Sequence, residues 1–262
     1  MLLAVDIGNT NVVLGLLEGE RVVRSARFET LRNEDAASAE ARIARALSDS
    51  ERGAVTGAIV ATVLPVLGPV FSGALRALAG VDVVLVDHAT PTGVLLDVDE
   101  PAQVGADRYV NLAALVGRGK EGAIVVDCGT ATTFDVLTPD GRFIGGAIAP
   151  GLGTTAEALR ARAPRLPPVP LTAPEASIGR NTIDALRSGI LLGYAAMVEG
   201  LVGRMRSELP FPVRVYATGG LAPLLAPQCP SVDVLDTDLT LRGLARIHAR
   251  HAARHPEHAA PM

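Results

Sequence analysis

Short apolar runs, each closed by an acid or a glycine, recur along the chain and alternate with stretches of helical period. Residues 2–6 are apolar up to Asp6 and predict a buried strand. "NVVLGLLEGERVVRSARFET" then predicts two strands joined at Glu18-Gly19-Glu20, a hairpin signal. Residues 33–49 place apolar positions at helical spacing behind an Asn cap, with acids in the first turn. A buried strand is expected over 57–64, a helix led by a proline after it, and a further strand over 81–87. A helix follows Gly105, and helical pattern returns from Thr182 to about Glu208. "VRVYATGGLAPLL" reads as a strand, a Gly-Gly turn and a short helix, and a last strand leads into a helix starting near Thr237. Strands interleaved with helices predict an α/β layer fold.

The opening pattern occurs twice. "LLAVDIGNTNVVLGLLEGERVV" aligns with "AIVVDCGTATTFDVLTPDGRFI", so that Asp6 matches Asp127, Gly8 matches Gly129, and the hairpin turns correspond. A repeat with a period near half the chain predicts two similar domains facing each other, 1–118 and 119–262. Between the second copy and the helix at Thr182, the proline-rich 162–174 reads as a surface loop.

Composition narrows the function. The 262 residues suffice for a sizeable core, burying roughly three quarters of the unfolded surface. A net charge of -4 without a basic stripe argues against a nucleic-acid partner. No run reaches about 18 apolar residues without a charge, and no secretory signal leads the chain, so a soluble, cytoplasmic protein with no membrane partner is expected. Two cysteines, Cys128 and Cys229, make no disulfide framework. Lys120 is the only lysine and lies in an exposed-turn sequence, so a Gly-Lys-Ser/Thr phosphate loop is excluded. His248, His251, His255 and His258 read as a polar helix end and tail rather than a metal site, because no acid or cysteine completes one there.

A strand ending in Asp and entering a glycine turn can set backbone N–H groups around a phosphate. Gly8 permits close approach, and Asn9, Thr10 and Asn11 can donate side-chain hydrogen bonds. Asp6, beside those phosphates, is a candidate magnesium ligand. The second copy, "DCGTATTFD", makes the pair a nucleotide-binding signature. A third constellation, "EPAQVGADRYVN", places Asp107 and Arg108 at a helix start, a carboxylate that can accept a proton and a guanidinium that can grip a polar substrate.

"DIGNTNVVLG", "GADR", "DCGTATTFD", "GGAIAPGL" and "ATGGL", in this order, resemble the type III pantothenate kinases. The resemblance runs from residue 1 to about 245. It implies two ribonuclease H-like domains of the actin, sugar-kinase and heat-shock chaperone superfamily, each a mixed sheet with flanking helices. The implied activity is transfer of phosphate from ATP, with Mg²⁺, to pantothenate, the first step of coenzyme A synthesis. Carried onto this chain, it implies ATP contacts from Asp6, Ile7, Gly8, Asn9, Thr10, Asn11, Val12, Val13 and Thr130. Pantothenate contacts are implied for Gly105, Ala106, Asp107, Arg108 and Thr182, with Asp107 as proton acceptor. Asp127 is implied to hold a monovalent cation, K⁺ or NH₄⁺, the "TGG" at 218–220 to face the adenosine, and the protein to be a homodimer. One departure stands out: Val98 replaces a family tyrosine before the GADR motif, with Tyr109 and Tyr194 as candidate substitutes. The alternatives are a superfamily kinase of another small hydroxy compound and a non-catalytic nucleotide-binding transcription accessory factor. Asp107 speaks against the latter, since a regulator needs no base.

Overall fold

The structure, a computed structural model, describes residues 1–254. Its elements run β1 (Leu2–Ile7), β2 (Asn11–Glu18), β3 (Arg21–Glu29), α1 (Ala36–Ala46), α2 (Asp49–Gly53), β4 (Gly57–Thr62), α3 (Leu67–Ala79), β5 (Val83–Leu85), β6 (Leu95–Leu96) and α4 (Ala106–Ala113). They continue β7 (Gly122–Cys128), β8 (Ala131–Leu137), β9 (Arg142–Pro150), α5 (Leu152–Arg162), α6 (Thr182–Arg187), α7 (Gly193–Glu208), β10 (Val213–Thr218), α8 (Ala222–Leu225), β11 (Val234–Leu235) and α9 (Leu239–Arg254). A wide π turn, Ser188–Leu192, joins α6 to α7. His255 and His258 lie outside the described residues.

Two compact units emerge, and the C-terminal helix belongs to the first. Among the described residues, unit 1 comprises Met1–Val116 and 238–254; unit 2 is Gly117–Thr237. The sequence reading assigned α9 to the second half. An amphipathic helix does not say which sheet it will cover, and the answer lies in small residues elsewhere. A Cβ on Gly15 of β2 would lie 2.7 Å from the Leu241 side chain, and one on Gly57 of β4 would lie 2.8 Å from His248 Nε2. Both glycines clear a shallow bed for α9. A Cβ on Gly243 would lie 2.0 Å from the Val110 carbonyl oxygen, so α9 also meets the backbone of α4.

The unit 1 sheet has the order β3-β2-β1-β4-β5. The hairpin strands are antiparallel, and β1, β4 and β5 are parallel. Leu3, Val5 and Ile7 alternate onto the face covered by α1 and α3, where Ile43, Phe71 and Leu75 complete the core. The cap of α1 is Asp35, which accepts a hydrogen bond from Ser38 N at 2.8 Å, two residues later than the Asn expected.

In unit 2 the strands run β11-β10-β7-β8-β9. Ile124, Val126, Phe134, Val198, Val202 and Val215 form its core. The helical run Thr182–Glu208 has the length and composition to cross a bilayer, where the sequence reading found no such segment. It carries Asp184, Arg187, Glu199 and Arg204 along its length, and its Tyr194, Ala195, Val198 and Val202 are packed into this core.

The two hairpins repeat with a one-residue slip. The last pair before the first turn is Ile7↔Val12, leaving residues 8–11 to cross; in the second it is Cys128↔Thr132, leaving 129–131. Gly8 N donates to Asn11 O at 2.9 Å, and Gly129 N to Ala131 O at 3.0 Å. Thr10, not Asn9, is therefore the counterpart of Thr130. Both hairpins also shift register at equivalent places, Leu16/Leu17 and Asp135/Leu137.

Candidate active site

In unit 1 the candidate residues gather at the carboxyl ends of two adjacent parallel strands. Asp6 pairs with Ala61 and Ile7 with Thr62, and Val63 N donates to Ile7 O at 3.1 Å. Such sheet ends are where open α/β folds place ligands. Asn9 and Thr10 are exposed at the turn, and Asp6 is half-buried. Ile7 and Val12 point into the core, so these two can serve a ligand only through their backbones. Val63, the residue after β4, packs beside Gly105: a Cβ on Gly105 would stand 3.9 Å from Val63 Cγ1. The chain thus brings the Gly105–Arg108 motif and the Asp6–Asn11 turn to one end of one sheet.

Gly105 is the N-cap of α4, with φ -62 and ψ 143. Asp107 Oδ1 accepts a hydrogen bond from Arg108 N at 2.9 Å. Burial raises the Asp107 carboxyl above its ordinary value, and the Arg108 amide and charge offset part of the rise. The next acid along, Tyr109, is 2% exposed. Its phenol is pushed up to about 12 by burial, then by the charges of Asp87 and Asp107. The exposed His88 lays its ring against Tyr109, centroids 5.8 Å apart. Of the two tyrosines considered as substitutes at the Val98 position, Tyr109 is the one beside Asp107.

The support beneath α4 comes from α9. Thr240 Oγ1 donates to the buried Asn111 Oδ1 at 2.6 Å. Arg246 donates to Ala114 O and Val116 O, both at 2.9 Å, satisfying carbonyls at the C-terminal end of α4. These residues were missed by sequence reasoning; the only local signal was Gly243, a glycine within a helix.

In unit 2 the second turn is packed about Asp127. Asp127 pairs with Thr133 on one side and Thr218 on the other. Gly219 has φ +88, and a Cβ there would lie 2.4 Å from Asp127 Oδ1. The "TGG" turn therefore lies directly on this carboxylate. Thr218 Oγ1 is buried without a hydrogen-bond partner among the described residues. A carboxylate and a neighbouring hydroxyl are hard oxygen donors, which suit a hard cation rather than zinc. Among the described residues no three His, Cys, Asp or Glu side chains come together as a metal cluster.

Thr130 is exposed, and its carbonyl accepts from Gly151 N at 2.9 Å and Thr154 Oγ1 at 2.7 Å. The Tyr194 hydroxyl is 2.7 Å from both the Thr132 hydroxyl and the Pro150 carbonyl oxygen, which ties it into the frame of this turn. Burial raises the Cys128 thiol to about 12, so it stands here as a neutral core residue. Thr182 is the first residue of α6, exposed in a recess of about 560 Å³ with Arg165, Asn181 and Asp184.

Two sheets, each led by an Asp-x-Gly hairpin, define a two-sheet α/β fold that a sugar kinase of known structure shares. By fold the chain is similar to the activator of 2-hydroxyisocaproyl-CoA dehydratase from Clostridium difficile, solved with bound ADPNP (TM-score 0.57, 12% identity, 100% of this chain and 98% of that one). It is similar also to a ROK family glucokinase from Streptomyces griseus in complex with glucose and AMPPNP (TM-score 0.53, 15% identity, 95% and 98%). The family model of type III pantothenate kinase matches residues 2–204. A type III pantothenate kinase of Thermus thermophilus is 44% identical over 250 residues, 95% of this chain and 98% of its own. That of Myxococcus xanthus is 40% identical over 257 residues, 97% and 100%. The chain belongs to the type III pantothenate kinase family, whose activity is the ATP-dependent phosphorylation of pantothenate in coenzyme A biosynthesis.

Proposed function

We propose that Asp107 orients the primary hydroxyl of pantothenate and accepts its proton as the oxygen attacks the γ-phosphorus of ATP in line. Gly105, Ala106, Arg108 and Thr182 contact the acceptor. The backbone of Asp6–Val13, with Asn9, Thr10 and Asn11 side chains, holds ATP phosphates, and Thr130 makes a further ATP contact. The observation that carries the reading is the convergence of Asp107 and the Gly8 turn on the carboxyl ends of β1 and β4. Phosphoryl transfer is largely positioning and charge stabilisation, so a half-buried carboxylate with a raised pKa can work mainly by aiming the hydroxyl.

Asp6 is the candidate to hold the Mg²⁺ that accompanies ATP, and Asp127 with Thr218 to hold K⁺ or NH₄⁺. When bound, these cations would neutralise phosphate charge in a chain whose single lysine, Lys120, precedes β7, at the strand end opposite Asp127. The working form is a homodimer in the cytoplasm. ADP release from purified protein with Mg·ATP, K⁺ and pantothenate, with the product identified, tests the assignment. Asp107→Asn turnover equal to wild type would remove Asp107 from the reaction.

A further inference from the structure

Thr30 is the first residue beyond β3, and it is 9% exposed. Its backbone N–H donates to Thr10 O at 2.9 Å and its hydroxyl donates to Gly8 O at 2.8 Å. One residue thus grips alternate carbonyls of the first turn. In a trans peptide the C=O and the following N–H point opposite ways. Drawing the Gly8 and Thr10 carbonyls back to Thr30 therefore aims the N–H groups of Asn9 and Asn11 away from it.

The second hairpin solves the same problem without a side chain. Gly151 N donates to Thr130 O at 2.9 Å, as Thr30 N does to Thr10 O. A Cβ on Gly151, however, would lie 2.3 Å from Gly129 O and 2.5 Å from Thr130 O. The shorter turn closes down on bare backbone, whereas the longer first turn leaves a space that the Thr30 hydroxyl fills. Thr30 is itself anchored from behind. Arg42 donates to Glu29 O, pairs with the buried Glu34 at 2.6 Å, and stacks over Phe28 at 4.3 Å.

We propose that Thr30 is a positioning residue for ATP: its hydroxyl and amide lock the Gly8–Asn11 turn with the Asn9 and Asn11 amides presented to the phosphates. This rests on reading that turn as the phosphate cradle. The test measures KM for ATP and pantothenate and, by calorimetry, Kd for Mg·ADP, in full-length Thr30→Val and Thr30→Ser, with melting curves as the check on folding. Thr30→Val, which keeps shape and loses the hydroxyl, raises KM for ATP and Kd for ADP about tenfold, the scale of one lost buried hydrogen bond. KM for pantothenate stays put, and Thr30→Ser binds ADP within about twofold of wild type, again on the scale of that bond. If Thr30→Val unfolds, Thr30→Ala is measured in its place. Unchanged nucleotide binding in the variant, or an equal rise in both KM values, overturns the role of Thr30. Gly8→Val separates the two ideas: if it loses ADP binding while Thr30→Val does not, the cradle stands and Thr30 falls. If folded Gly8→Val binds ADP as wild type does, the cradle itself is wrong and the proposal goes with it.

Discussion

The Asp107 carboxylate folds back over Gly105, so that a Cβ on residue 105 would lie 2.6 Å from Asp107 Oδ1. The backbone of Gly105 is ordinary, with φ -62, a value open to any residue. Glycine is needed there for space, not for conformation, and the sequence reading of a tight turn gives way to that explanation. Gly105→Ala should push the carboxylate off its present position. A misplacement of about 1 Å can cost on the order of 10²-fold, so kcat should fall by about 10- to 100-fold with the fold intact. Steady-state kinetics beside a melting curve measure it, and wild-type kcat would show that the carboxylate's present pose is irrelevant.

Asp107→Asn should lower kcat by about 10²–10⁴-fold, the range of a positioned acid–base group. The pH dependence has a sign. Burial raises this carboxyl above its ordinary 3.8, so the acid limb of kcat/KM should lie at higher pH than an exposed aspartate would give. For stability, a raised folded pKa favours the fold below the unfolded value, and that contribution is lost as pH rises through the folded pKa. Asparagine stays neutral throughout. The variant should therefore melt above wild type at about pH 7–8, with the gap closing towards acid pH. Calorimetry that shows the reverse order at neutral pH would contradict burial as the cause.

Gly219 packs against Asp127, at positive φ and with a virtual Cβ 2.4 Å from Oδ1 and 2.7 Å from Cys128 N. Gly219→Ala is strained on both counts. If Asp127 holds a monovalent cation, the displaced carboxylate should raise the K⁺ activation constant by about 10- to 100-fold, the usual effect of disturbing a ligand's support. Asp127→Ala should abolish the difference between K⁺ and Na⁺. Rates measured across a K⁺ titration decide it; a wild-type enzyme indifferent to the choice of cation defeats the assignment.

The hairpins were legible because a strand's apolar run and a glycine turn are local signals: Gly19, at φ +60, marks the turn between β2 and β3. The slip between the two turns was not. It falls inside the loop, where no alternation marks the register, and both copies begin Asp-x-Gly. Motifs draw the eye to Asp107 and Asp127, but nothing near Thr30 tells it from any other residue at a strand end. Its contacts appear only when the hairpin closes over Gly8 and Thr10. The return of α9 to unit 1 was hidden for a related reason. Its partners, Gly15, Gly57 and Val110, are scattered through distant sequence, and each looks ordinary until a helix is laid on it.

His248 offers a test of that return by pH alone. It sits on α9 with Nε2 over Gly57, and burial, followed by the charge of His251, lowers its pKa from 6.5. A lowered folded pKa means that the folded state takes up the proton less readily than the unfolded chain. Stability tied to the neutral imidazole is therefore present above about pH 6.5 and lost as pH falls through that value towards the folded pKa. Wild type should show a melting midpoint that declines on acidification over this window. His248→Gln, which cannot titrate, should start lower for want of the packed ring and decline less steeply. Differential scanning calorimetry between about pH 5 and 8 measures both. Parallel slopes for the two proteins would mean that His248 is not held neutral against β4, and that the contact anchoring α9 there is not the one described.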